Sequence, residues 1–218
     1  MDESLKHASV VQPKRRNAWA GYLAIAAGLA AAVSAVAISA RAPSAASNSA
    51  YTNLGRGIEN VQLIGDSGTP VRWSSLNGKP RALFFGYTHC PVICPVTVWE
   101  LNDAMARIGP AASELQIEFV TLDSARDTPA VLHAFFSGFE GHVHAFSGEA
   151  AQIDRIARAY EVTYRRADEH GSDYSIDHTA TVFLIDPSGR VVDVIGFGSE
   201  RDVVEQRLRA LLGAPAAP

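Results

Sequence analysis

The apolar positions of this chain fall into short segments of two periods, separated by turns rich in glycine, proline and aspartate. Arg81 to Tyr87 is a nearly continuous apolar run, the pattern of a strand buried on both faces, whereas Val96 to Ile108 repeats its apolar residues at helical spacing. Upstream, Val61 to Ile64 and Val71 to Trp73 flank Gly65-Asp66-Ser67-Gly68, a hairpin signature. Downstream, Leu115 to Leu122 reads as a strand. Asp127-Thr128-Pro129 then opens a helix through Phe136, with a capping residue ahead of proline in the first turn. His142 to Phe146 reads as a short strand and Glu149 to Tyr160 as a helix. Thr181 to Ile185 and Val191 to Ile195 read as strands around the turn Asp186-Pro187-Ser188-Gly189, and Glu200 to Leu212 as a closing helix. Strands alternating with helices, followed by a terminal hairpin and helix, predict an α/β domain with a mixed central sheet.

One run does not belong to that domain. Trp19 to Ala40 carries no charged side chain over 22 positions, long enough as a helix to cross a hydrocarbon core of about 30 Å. Lys6, Lys14, Arg15 and Arg16 precede it and only Arg41 and Arg56 follow closely, so the positive-inside rule places the N-terminus in the cytoplasm and the rest of the chain outside. A cleaved signal peptide is the alternative, because Ser39 and Ala40 are small, but a signal core of roughly 7 to 15 residues is shorter than this run. The expected organisation is a cytoplasmic N-terminus at 1–18, a single transmembrane helix at 19–40, a flexible Ala-, Ser- and Asn-rich tether at 41–54, a domain at 55–213 and a tail at 214–218. The localisation that follows is the inner (cytoplasmic) membrane, single-pass, with the domain in the periplasm or otherwise outside the cytoplasm.

Charge narrows the partners. The 218 residues sum to −4, and without the basic and acidic residues ahead of Asn17 the remainder carries −6, so neither nucleic acid nor anionic lipid is an expected ligand of the domain.

The candidate chemistry lies between the central strand and its helix. The chain has two cysteines, Cys90 and Cys94, in His89-Cys90-Pro91-Val92-Ile93-Cys94-Pro95. On a strand-to-helix turn the helix N–H groups and macrodipole favour thiolate over thiol, improving both nucleophilicity and soft-metal binding. Either the turn is already helical and the cysteines are i, i+4 neighbours, or Pro95 takes the first helical position and both lie in the preceding loop. A disulfide staple is the plain reading of such a pair, but closing so short a loop stabilises by only about 2 kcal/mol, against more than 4 for a long one. A redox-active or metal-binding dithiol is the better reading, and a dithiol after an early central strand points to a thioredoxin-like fold.

Of the seven histidines, His7 lies on the cytoplasmic side, His89 adjoins Cys90 and can tune it, and His133 and His170 have no distinguishing context. His142 and His144 alternate, so on a strand they share a face and could ligate a metal, but two lone histidines on an edge are more often surface residues. His178 stands in Tyr174-Ser175-Ile176-Asp177-His178-Thr179 at the entry to a strand, where loops of an α/β domain can approach the dithiol, and Asp177 offers it a supporting carboxylate. Two thiolates and an imidazole suit copper, whereas a structural zinc wants a fourth protein donor and no third cysteine exists to supply it.

Phe85-Gly86-Tyr87-Thr88-His89-Cys90-Pro91-Val92-Ile93-Cys94-Pro95 resembles the signature of the Sco/SenC copper chaperones, membrane-anchored thioredoxin-fold proteins that help assemble the binuclear copper centre of cytochrome c oxidase. Asp123-Ser124-Ala125-Arg126-Asp127-Thr128-Pro129 resembles that family's D-P-x-R-D-T-P, with Ser124 in place of its usual proline, and Asp177-His178-Thr179 resembles its distal D-H-[ST] segment. The resemblance spans about Asn53 to Leu212 and implies Cys90, Cys94 and His178 as ligands of Cu(I), Cu(II) or both. It implies a functional position at Asp123, either supporting the site or touching a partner; the plain alternative is a strand-end carboxylate capping the next turn. Implied partners are the copper-centre subunit of cytochrome c oxidase, an upstream copper donor and a thiol reductant. Two functions stay open: a metallochaperone, which is not an enzyme, or a thiol-disulfide oxidoreductase cycling Cys90 and Cys94 to keep the oxidase cysteines reduced. A peroxidase is disfavoured, since no peroxidatic cysteine poised with Arg and Thr is legible.

Overall fold

The structure, a computed structural model, describes residues 51–139, 143–167 and 174–214. The expected anchor, most of the tether, His7, His142, His170 and nearly all of the tail lie outside the described residues. Among the described residues no helix is long and apolar enough to cross a membrane.

The predicted hairpin forms as β1 (Gln62–Gly65) against β2 (Pro70–Arg72), with Leu63 opposite Val71. The central apolar run is β3 (Arg81–Gly86), every residue of it buried, followed by α1 (Ile93–Ile108). Next come β4 (Gln116–Thr121), α2 (Pro129–Phe136), β5 (Val143–Ser147) and α3 (Ala150–Ala159). A short antiparallel pair, β6 (Tyr164–Ala167) and β7 (Ser175–His178), precedes β8 (Thr181–Ile185), β9 (Val191–Gly196) and α4 (Arg201–Leu212).

Seven strands form one sheet in the order β2-β1-β5-β4-β3-β8-β9. β3 runs parallel to β4, and β4 to β5, while β3 with β8 and β8 with β9 are antiparallel. The sheet is therefore mixed, as expected. Alternation along β3 divides the core: Ala82 and Phe84 face the helices α1, α2 and α4, and Leu83 and Phe85 face α3 and the β1–β2 side. Because both faces are covered, β3 reads as a continuous apolar run rather than an alternating one.

Three features depart from the sequence expectations. α1 begins at Ile93, three residues before the predicted Val96. β5 is not an edge strand, since it pairs with β4 on one side and β1 on the other, although His144 is exposed as expected. The segment carrying His178 is a strand, β7, paired among the described residues only with β6 in a separate two-stranded sheet. Its polar residues do not alternate with apolar ones strongly enough to announce it.

Candidate metal centre

β3 delivers the chain to the site and Gly86 lets it turn there. A Cβ on Gly86 would lie 2.7 Å from Cys94 Sγ and 2.9 Å from the Phe119 ring, so only glycine permits the sulfur to rest this close to the strand. The Cys90 N–H closes the following turn onto the Tyr87 carbonyl at 3.2 Å. Val92 then caps α1, and Cys94 is its second residue. The Cys94 N–H donates to Cys90 Sγ at 3.3 Å, so the sulfur takes the place that a serine or aspartate oxygen holds at an ordinary helix start. Pro95 is thus third in the helix, not first, in the one turn where a missing N–H goes unmissed.

The polypeptide brings His178 to this dithiol across 84 residues. Its Nε2 lies 3.7 Å from Cys94 Sγ, and its Nδ1 lies 3.0 Å from the Thr179 carbonyl. A proton on Nδ1, donated to that carbonyl, leaves the Nε2 lone pair facing the sulfurs. Phe84 and Tyr87 each meet the imidazole edge-to-face with centroids 6.0 Å apart, holding the ring's plane. One donor atom from each of Cys90, Cys94 and His178 lies within 4.8 Å of the others, a spacing that a single ion can bridge. Among the described residues no further His, Cys, Asp or Glu joins them. Three donors, two of them soft, leave an open position and match copper better than a closed structural zinc.

Both cysteines are free and buried. They share a proton unequally. The hydrogen bond from Cys94, helped by the N–H groups of Cys94 and Val92, brings Cys90 down to about 4 against the opposing cost of burial. Cys94 is pushed far up, first because it donates to Cys90 and then because it is buried. The pair therefore gives up one proton readily and holds the other. For Cys90 the sign is that of a depressed acid: its stabilisation is complete above the unfolded thiol range and is lost as pH falls toward about 4. Alkylation of the reduced chain with iodoacetamide is expected to modify Cys90 first, at nearly the same rate at pH 6 as at pH 8. An ordinary thiol slows about eightyfold over that interval, and a fall of that size at Cys90 would show that it is not ionised.

Two carboxylates organise the surroundings. Asp127 is fully buried; it accepts from the Thr88 N–H at 2.9 Å, the Thr88 hydroxyl at 2.6 Å and the Thr121 hydroxyl at 2.6 Å. It thereby ties the turn ahead of Cys90 to the end of β4. Sequence reading places Asp127 as a helix opener and within the family's D-P-x-R-D-T-P motif, and no local signal reveals that its partner Thr88 lies 39 residues away. Asp123, also buried, reaches Arg126 and accepts from the Tyr174 hydroxyl at 2.7 Å. Its carboxylate contacts none of the three donors, and its backbone carbonyl closes the following turn by accepting from Arg126 and Asp127.

Asp177 does not support His178. Successive strand residues point to opposite faces, so with His178 turned toward Cys94, Asp177 turns outward and pairs with Arg165 at 2.6 Å. The Thr179 carbonyl does what a carboxylate was expected to do. His89 is half exposed beside Thr88 and Asp127, and exposed His133 lies 3.7 Å from Asp66; neither enters the cluster.

Comparison with known proteins places this geometry. A putative copper-binding protein of Stutzerimonas stutzeri is 32% identical over 135 residues, covering 62% of this chain and 66% of its own length. The mitochondrial SCO1 homolog 1 of Arabidopsis thaliana is 33% identical over 142 residues, covering 65% of this chain and 42% of that protein. The chain thus spans less than two thirds of the length of these curated relatives. The structure of Bradyrhizobium japonicum ScoI with copper bound superposes with a TM-score of 0.64 at 33% identity, over 69% of this chain and 96% of that one. The SCO1/SenC family model matches residues 52–213, a span that contains the dithiol turn, the β4–α2 turn and the histidine strand together, and this chain accordingly belongs to the SCO1/SenC family.

Proposed function

We propose that this chain is a membrane-anchored copper metallochaperone that holds copper on Cys90, Cys94 and His178 and passes it to the binuclear copper centre of cytochrome c oxidase. One observation carries the reading: His178 Nε2 stands 3.7 Å from Cys94 Sγ, a third donor that thiol exchange does not need. Thiolates favour Cu(I) and imidazole also accepts Cu(II), so the set suits either state. Cys90 is already deprotonated at neutral pH, so copper has to displace only the proton on Cys94. Family membership and the copper carried by a relative at 33% identity support the assignment. Three protein donors leave room for the acceptor's cysteines and histidines to replace them in turn. An upstream copper donor loads the site, and a thiol reductant keeps the dithiol open to metal. Trp19 to Ala40 anchors the chain with its N-terminus in the cytoplasm and the domain in the periplasm or outside.

The acidity of Cys90 favours a second reading, a thiol-disulfide oxidoreductase. The Cys90 thiolate attacks a disulfide of the oxidase copper site and releases one of its cysteines as a thiol. Cys94 then displaces the other, leaving the partner reduced and Cys90–Cys94 oxidised until the reductant resets them.

Purified full-length chain, reduced and then offered copper, is expected to take up one copper and to show a thiolate-to-Cu(II) charge-transfer band. A reporter fused after Pro218 is expected to be active only outside the cytoplasm. Failure to take up copper, with stoichiometric reduction of a partner disulfide, assigns the dithiol to electron transfer; cytoplasmic reporter activity removes the anchor.

A further inference from the structure

The three donors come from two separate parts of the fold. Cys90 and Cys94 ride on the β3–α1 turn, whereas His178 ends β7, which belongs to a two-stranded sheet outside the main ladder. The main sheet fixes one end of β7, because β8 starts three residues after His178 and pairs with β3; the other end, at Tyr174, needs a holder outside that ladder. The β4–α2 turn holds both parts. At its C-terminal end Asp127 binds Thr88, two residues before Cys90. At its N-terminal end Asp123 and Arg126 bind Tyr174, the residue that precedes β7. The Tyr174 ring is stacked between two guanidinium groups, Arg126 at 3.6 Å and Arg166 at 3.4 Å from its centroid. Its hydroxyl donates to Asp123 at 2.7 Å, and its carbonyl accepts from Arg126 Nη2 at 2.9 Å. Arg126 is itself held by the Asp123 carboxylate, so these contacts act as a unit.

We propose that Asp123, Arg126 and Tyr174 form a latch that positions His178 against the dithiol. The latch rests on the reading of His178 as a copper ligand, and it is a positioning device: none of its three residues contacts a donor atom. With it closed, β7 starts from a fixed point and the imidazole meets Phe84, Tyr87 and the Cys94 sulfur. With it open, the two-stranded sheet keeps its own ladder but loses its register against the dithiol, and copper is left on two sulfurs. Ser124 needs no special geometry for this, because the gripping atoms belong to its neighbours.

The test uses the full chain in detergent with two readouts. In the reduced, metal-free protein, the His178 ring protons carry ring-current shifts from Phe84 and Tyr87. Tyr174→Ala is expected to move them toward the values of a solvated imidazole, and Tyr174→Phe, which keeps the stacking but loses the hydroxyl, to move them less in the same direction. In copper competition against a chelator, Tyr174→Ala is expected to lower affinity about tenfold, the size found when a group supporting a metal ligand is lost. That loss should disappear in a His178→Ala background, because a latch acts only through the histidine. Unchanged shifts in Tyr174→Ala, or an equal affinity loss with His178 already removed, overturn the latch. If His178→Ala alone leaves copper affinity unchanged, the ligand assignment falls instead, and the metal-free shifts decide the latch by themselves. Should Tyr174→Ala fail to fold, Tyr174→Phe and Arg126→Lys carry both readouts, and wild-type shifts and affinity in both overturn it.

Discussion

Replacing His178 by alanine is expected to abolish the thiolate-to-Cu(II) charge-transfer band of the copper-loaded protein while leaving its fold and dithiol chemistry nearly intact. The side chain is only partly buried at the end of a two-stranded sheet, so truncating it removes two edge contacts, with Phe84 and Tyr87, and little core. For copper the loss is large. Cu(II) needs the nitrogen donor, whereas two thiolates alone still hold Cu(I), so residual Cu(I) binding is expected. Losing a group that merely supports a ligand costs 10- to 100-fold in affinity, and losing the ligand should reach at least the upper end of that range. Oxidase assembly at limiting copper should fail in this variant and recover in part when copper is supplied in excess. Normal Cu(II) binding together with normal oxidase activity at limiting copper would remove His178 from the site and leave the oxidoreductase reading standing.

The second large effect is expected at Gly86, which carries no chemistry. Gly86→Ala puts a methyl group 2.7 Å from Cys94 Sγ and 2.9 to 3.1 Å from Phe119, and neither neighbour can retreat. Cys94 is completely buried on the first turn of α1, and Phe119 is fixed in β4 against Phe84 and Phe136. Overpacking of this kind costs roughly 1–3 kcal/mol. The denaturation midpoint should fall accordingly. The displaced sulfur should also weaken copper binding beyond what the stability loss accounts for, a difference readable at temperatures where the variant is fully folded. A variant with wild-type midpoint and wild-type affinity would show that the close approach of sulfur to strand is not needed.

What was legible in the sequence follows from what periodicity measures. A run such as Arg81 to Gly86 reports burial on both faces, and helices such as α1 and α4 report a single buried stripe, because these patterns are written in neighbouring residues. The apolar period marks α1 only from Val96, and spacing leaves open whether the turn before it is already helical or Pro95 comes first; the structure starts the helix at Ile93. The sulfur of Cys90 supplies the acceptor that lets the helix begin earlier, and sulfur is not among the usual capping atoms. β6 and β7 were missed because strands of four residues, mostly polar and paired only with each other, bury too little to leave a period.

The sequence by itself determined the mixed α/β class, the place of the dithiol on a strand-to-helix turn and, through its motifs, the family. Only the tertiary structure decided which partners each polar group finds. It put His178 beside Cys94 across 84 residues and Asp127 beneath Thr88 across 39, and it turned Asp177 out to Arg165. Local pattern records which side of an element is buried. Convergence of distant residues depends on the path of the chain between elements, and that path is settled by packing the two faces of the sheet together, not by the spacing of any one segment.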